Sequence, residues 1–187
     1  MKILSNLFLI VIAIAIMKIS TSCNDNASFT PDEMRFTKPF ANSSTVVFKS
    51  SAGQTDTVTF HPIIVDTVKY RNLEQGFYNE NFLGIDYELT NNSFHKILGG
   101  STERFLLFLK AKNSHSANEI SFLGLLFNED YLNKVMDTKD SLVVFSQENA
   151  RYTGVNINEG IKRFTFDFNK GVVSFVDRQD REWIRTK

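Results

Sequence analysis

From Ser44 onward the chain is a succession of short apolar runs separated by turn signals, the pattern of an antiparallel β protein. Residues 45–49 and 55–60 read as a hairpin joined by the Gly53-containing loop 50–54. A third strand, 63–70, follows Pro62. Across 82–90 the apolar Leu83, Ile85, Tyr87 and Leu89 alternate with Asp86, Glu88 and Thr90, which predicts one buried and one wet face. Further strands are expected at 142–145, 152–157, 163–168, 172–177 and 182–185. The clearest alternation is at 163–168, where Phe164, Phe166 and Phe168 point inward and Arg163, Thr165 and Asp167 outward. Gly171 then closes a tight turn and can take a positive φ there.

Two segments break the alternation. Residues 105–109 (FLLFL) and 120–127 (ISFLGLLF) are apolar at nearly every position, with Ser121 and Gly124 as the only relief. A strand apolar on both sides must be covered on both sides. The polar stretch 112–118 is expected to join them into a central hairpin. Its cover would be the single helix of the domain, about 129–136, capped by Asn128 and carrying Tyr131, Leu132, Val135 and Met136 at helical spacing. Two readings of this hairpin remain. Either it is a packed centre, the preferred one, or one face lines an apolar pocket with Leu106, Phe108, Leu123 and Leu125 in its wall. In the second case Lys110 and Lys112 could meet a lipid headgroup. The expected fold is therefore mainly β, a single antiparallel β-sandwich or open half-barrel over 44–187 with one short helix.

Composition supports this. Eighteen phenylalanines against three prolines and one tryptophan favour strands and an aromatic core. Lysine plus arginine and aspartate plus glutamate balance at 21 each, and no run of like charge exceeds three. Such a chain lacks the basic stripe that nucleic-acid binding requires, so no nucleic-acid partner is expected. With Cys23 as the only cysteine, no intramolecular disulfide can form, and burial alone must hold the fold.

The N-terminus has a different character. Lys2 precedes the apolar run Leu-Phe-Leu-Ile-Val-Ile-Ala-Ile-Ala-Ile-Met at 7–17, which Lys18 closes; Ser20, Thr21 and Ser22 lead to Cys23. Charged start, apolar centre and small residues before a cut site are the parts of a secretory signal. The run is too short for a bilayer core, which takes about 20 apolar residues. Residues 1–22 are therefore expected to be a cleaved signal peptide. Residues 23–43 show no period of 2 or 3.6 and read as a tether, with its aromatics docking on the domain at its end.

Residues 20–23 resemble the lipobox of bacterial lipoproteins, in the relaxed form seen among Bacteroidota, with Ser20 where leucine is typical. The resemblance implies that Cys23 becomes a lipidated N-terminus and that the chain sits in the cell envelope, held to the outer membrane by its acyl chains. Without lipidation, Cys23 would be a free thiol beside an ordinary cleavage site. In the resembling group an acid-rich stretch after the cysteine accompanies export to the cell surface. Here only Asp25 follows closely, so a periplasm-facing position is slightly favoured. The C-terminus also resembles the ending of many Bacteroidota lipoproteins of unknown function: an aromatic strand, Gly171-Val172, an aliphatic–aromatic strand and the late Trp183. This implies no activity.

Signals for chemistry are weak. His61, His95 and His115 lie far apart in sequence with no metal-ligand spacing, and no serine sits in a nucleophile elbow. Gly99-Gly100 has no phosphate-loop lysine behind it. Asp86 and Glu88 share a strand face, as carboxylates on wet faces routinely do, and Glu129 and Asp130 suit a helix N-terminus. No catalytic residue, metal ligand or cofactor is assigned. The expected function is a non-enzymatic envelope lipoprotein, a binding or structural module whose partners are the membrane, through its lipid, and a protein or hydrophobic ligand. The alternatives are a carrier of lipid in an apolar cavity, and an extracytoplasmic glycan hydrolase with two facing carboxylates roughly 5–10 Å apart.

Overall fold

A computed structural model describes residues 29–72, 76–90, 105–110, 118–151 and 160–186. Its strands are β1 (Ser44–Ser50), β2 (Thr55–Phe60), β3 (Ile64–Asn72), β4 (Gly76–Leu89), β5 (Phe105–Lys110), β6 (Glu119–Phe122), β7 (Leu125–Phe127), β8 (Leu142–Ser146), β9 (Ile161–Asp167), β10 (Gly171–Asp177) and β11 (Glu182–Arg185). Two α-helices accompany them among the described residues, α1 (Pro31–Arg35) and α2 (Glu129–Met136). The protein is mainly β, as its alternation predicts.

All pairings are antiparallel, in the order β7-β6-β5-β4-β2-β1-β11-β10-β9-β8, with β3 on β4, and the sheet curls until it nearly closes into a barrel. Helix α2 lies over the seam between the two sheet ends. Asn128 caps it by accepting from the Tyr131 N–H, and Leu132 and Val135 face the core. The Tyr131 ring packs on Phe127 of β7 and Phe145 of β8, with centroids 5.0 and 5.8 Å away. Its hydroxyl donates to the Val144 carbonyl at 3.3 Å.

The other closure comes from residues the sequence reading assigns to the tether. Helix α1 is set by a capping box: the Thr30 N–H donates to Glu33 Oε2, the Glu33 N–H donates to Thr30 Oγ1, and Pro31 opens the first turn. A 3-10 turn, Lys38–Phe40, follows. Phe36 and Phe40 are fully buried; Phe36 packs edge-on to Phe168 at 4.9 Å, and Phe40 lies 5.3 Å from Phe60. Arg35 seals the rim, its guanidinium 4.3 Å from the Phe168 ring centre. The expected docking of aromatics is thus a plug of two rings at one barrel end.

One strand needs correction. Residues 120–127 do not run as one strand in a central hairpin. They fold back as β6 and β7 at the end of the sheet, through a turn at Leu123 (φ 46°) and Gly124 (φ 82°). Two successive positive φ values make a hairpin turn whose twist matches the strands it joins. Glycine takes this conformation freely, whereas leucine is strained in it. That strain is held by full burial of Leu123 and by its N–H donating to the Tyr87 hydroxyl at 3.0 Å. The expected strand 152–157 lies outside the described residues.

Candidate functional site

The barrel interior is the first place to look for a ligand, and aromatic rings occupy it. The β6–β7 hairpin delivers Phe122 to the centre, with its ring centroid 5.4 Å from Tyr87 (β4), 5.6 Å from Phe164 (β9) and 5.7 Å from Phe175 (β10). Phe60 (β2) and Phe48 (β1) follow at 6.3 and 6.5 Å. One side chain therefore touches rings from five strands around the wall. Centroid separations of ~4.5–7 Å are those of rings in direct contact, so this level of the barrel is filled. Gly160 (φ 86°) packs against the same turn so closely that a Cβ there would stand 2.7 Å from the Leu123 carbonyl oxygen.

The four residues predicted to wall an apolar pocket do not share a surface. Leu106, Leu123 and Leu125 are fully buried in the core, Leu106 at the bulge where β5 gains one residue against Ile85 and Asp86. Phe108 is opposite Gly84 in the register, on the outer face, stacked on Phe82 at 5.3 Å and 5.7 Å from Phe105. Those rings close over Gly84, where a Cβ would meet Phe105 at 3.6 Å and Phe82 at 3.9 Å. Aromatic side chains here cover a strand position that has none of its own. Lys110 turns to Glu129 at the start of α2, 3.0 Å away.

Two open depressions on the outer face are lined by described residues. One, of about 290 Å³, is lined by His61, Asp86, Tyr87, Glu88 and Phe105. The alternation of β4 sends Asp86 and Glu88 outward, while β2 ends just before His61, whose N–H donates to the Asp86 carbonyl at 2.9 Å. The imidazole Nε2 lies 3.4 Å from Glu88 Oε1, and the half-exposed Phe105 ring borders the same space. Such a cleft can hold a polar group by hydrogen bonds and rest an apolar edge on Phe105. Its two carboxylates are neighbours on one strand face, an arrangement unlike the facing pair glycoside hydrolysis uses. The other depression, about 440 Å³, crosses β10 and β11 and includes Lys170, Glu182, Ile184 and Arg185.

Deeper in the fold, Asp177 is a buried carboxylate at the β10–β11 turn. Its Oδ1 accepts from the Gln179 and Arg181 N–H groups, and its Oδ2 from Arg181 Nε at 2.7 Å and Trp183 Nε1 at 3.0 Å. Burial pushes its pKa up, but the hydrogen bonds from Trp183, Arg181 and Gln179 outweigh it and hold the carboxyl below its ordinary range. This cluster shapes the turn and positions Trp183. A Gly-free turn ahead of a buried indole is the sequence signal for it, and sequence reasoning alone passed it over.

Among the described residues no group of three or more His, Cys, Asp or Glu side chains could hold a metal ion, and no helix is long and apolar enough to cross a membrane. Cys23, His95, Gly99, Gly100, Lys112 and His115 lie outside the described residues. No family model, curated protein or solved structure matches the chain.

Proposed function

We propose that the chain is a non-enzymatic cell-envelope lipoprotein: a binding or structural module exported by residues 1–22, anchored to the outer membrane through a lipidated Cys23 and facing the periplasm. The observation that carries the non-carrier part is the Phe122 cluster. A lipid carrier needs an apolar cavity of about 300 Å³ or more, and here rings from five strands meet at the barrel centre. The module then meets partners with its outer surface. The anchoring part rests on the signal-like N-terminus and on the resemblance of residues 20–23 to a lipobox.

Membrane fractionation and mass spectrometry of the protein purified from its envelope test both parts. The wild type is expected in the membrane fraction with a diacylated Cys23, since one acyl chain alone binds only marginally. Cys23→Ser is expected in the soluble fraction, and the folded domain is expected without co-purifying lipid. An unmodified thiol at Cys23 overturns the anchor, and stoichiometric fatty acid in the folded domain overturns the non-carrier reading in favour of a hydrophobe carrier.

A further inference from the structure

Nine residue pairs hold β3 to β4, from Ile64↔Gly84 to Asn72↔Gly76. β5 backs the first three of them and ends at Lys110, opposite Phe82; beyond that point β3 and β4 form a two-stranded arm among the described residues. Beyond the His61-Pro62-Ile63 corner β3 has β4 as its only partner among the described residues. Ile64 and Val65 point to opposite faces of the sheet, yet 46% and 64% of their surfaces are exposed. Both side chains are therefore open to water, and no described residue pairs with the outer edge of β3.

Backbone groups on that edge can be assigned. The Thr67 N–H donates to its neighbour's Asp66 Oδ1 at 2.7 Å instead of entering the ladder to Asn81, while the Thr67 hydroxyl reaches Asn81 Oδ1 at 2.6 Å. Position 67 is thus a non-hydrogen-bonded pair with β4. By the alternation of an antiparallel ladder, the N–H and C=O groups of residues 65, 67, 69 and 71 face outward. A row of such groups on a long strand with exposed β-branched residues is a template for another strand.

We propose that β3 pairs antiparallel with β3 of a second copy of this chain, about a two-fold axis at Val68, joining the two arms into one continuous sheet. The choice of occupant rests on self-complementarity. In an edge-to-edge pair with two-fold symmetry a residue must face its own copy at the axis. Centring on Asp66 or Lys69 would set like charges opposite each other, which destabilises a cross-strand pair. Centring on Val68 uses all nine residues and sets Asp66 opposite Tyr70, Thr67 opposite Lys69, and Val65 opposite Arg71, with no like charges facing. It also makes 67↔69 and 65↔71 the hydrogen-bonded pairs, matching the outward groups deduced above. The Thr67 N–H then passes from Asp66 to the Lys69 carbonyl of the second copy.

The test uses the full chain in a Cys23→Ser background, so that an added cysteine is the only thiol. Val68→Cys sits at the axis as a non-hydrogen-bonded pair, with Cα atoms about 4.5 Å apart, within disulfide reach. It is expected to form a cross-linked dimer under mild oxidation. Asp66→Cys is the control, since its two copies would be roughly 13 Å apart along the strands. Sedimentation of the Cys23→Ser chain is expected to show a monomer–dimer equilibrium. Thr67→Pro removes one outward N–H per subunit, keeps the backbone bonds to β4 and loses only the Thr67 hydroxyl's bond to Asn81; it should weaken that equilibrium by about tenfold or more. Val65→Lys should weaken it as well, while circular dichroism shows the fold intact. A chain that stays monomeric at all concentrations, or equal cross-linking at positions 66 and 68, overturns the proposal. So does a dimer that both variants leave unchanged, which would place the contact elsewhere.

Discussion

Strands β9 to β11 and the β3–β4 arm are both antiparallel, yet they depend on different parts of the physics. In the first, Phe164, Phe166, Phe175 and Trp183 are all buried, Phe175 stacks on Trp183 with ring planes 9° apart, and Asp177 ties the turn together. In the second, Ile64 and Val65 remain exposed where their ladder to β4 begins, although Leu83 opposite Val65 is buried. Backbone pairing alone is marginal in water, and a hairpin needs a hydrophobic face to stand by itself. The difference shows where stability sits in this molecule: in rings converging on the barrel axis rather than in the number of paired strands.

Removing the ring at the centre is the hardest test of that claim. Phe122→Ala should cost about 3–5 kcal/mol, a large part of the ~5–15 kcal/mol typical of a domain. Urea unfolding measures it, and a loss below about 1 kcal/mol would mean that the five-strand ring contact is not what holds the barrel. Next in size is Asp177→Ala, expected at about 3 kcal/mol, because it leaves the Trp183 Nε1–H and two backbone N–H groups without their acceptor.

The same carboxylate gives a pH dependence with a definite sign. Its folded pKa is lowered, so its contribution is fully present above the unfolded carboxylate's pKa of about 3.9 and disappears as pH falls through the lower folded value. Unfolding curves for Asp177→Asn should therefore lose part of the acid sensitivity that the wild type shows below about pH 5. Identical pH profiles for the two proteins would remove Asp177 from the account.

Much of the C-terminal region was legible in the sequence. Phe164, Phe166 and Phe168 alternate with polar residues and are buried as a set, Gly171 takes φ 80°, and Asn128 caps the helix over 129–136. Each of these signals is local. The β6–β7 turn was hidden because Leu123 adopts φ 46° only with help from Tyr87, thirty-six positions earlier in the chain. For the segment before β1 the sequence predicted that aromatics would dock, but not where: it has no period, and only the finished barrel offers the end that Phe36 and Phe40 close. At the outer cleft, the alternation of β4 placed Asp86 and Glu88 outward. The arrival of His61 and Phe105 beside them depends on sheet order and on the β5 bulge, and neither is written in any one segment.

Gly160→Ala sharpens the comparison at intermediate scale. The substitution adds a Cβ 2.7 Å from the Leu123 carbonyl oxygen at a residue with φ 86°, so it combines a backbone clash with a strained conformation. The expected cost is about 1–3 kcal/mol. It should also appear as a local change in the near-ultraviolet signal of the rings around Phe122. A neutral substitution would show that the hairpin can withdraw from the axis, and that the centre is less tightly filled than the ring distances imply.

The smallest effects are expected on β3. Ile64→Thr and Val65→Thr replace exposed β-branched residues by another β-branched one and should shift stability by less than about 0.5 kcal/mol, which denaturant midpoints can bound. Hydrogen exchange gives the finer reading. At concentrations too low for chains to associate, amides of β3 should exchange through local opening far below the global unfolding free energy, while those of β9 and β10 approach it. On raising the concentration, protection should appear at Val65, Thr67, Lys69 and Arg71, whose N–H groups face outward, while Asp66 and Val68, already bonded to β4, change less. Equal slow exchange in the arm and in β9–β10 at low concentration would break the comparison, because it would make the exposed ladder as stable as the buried one.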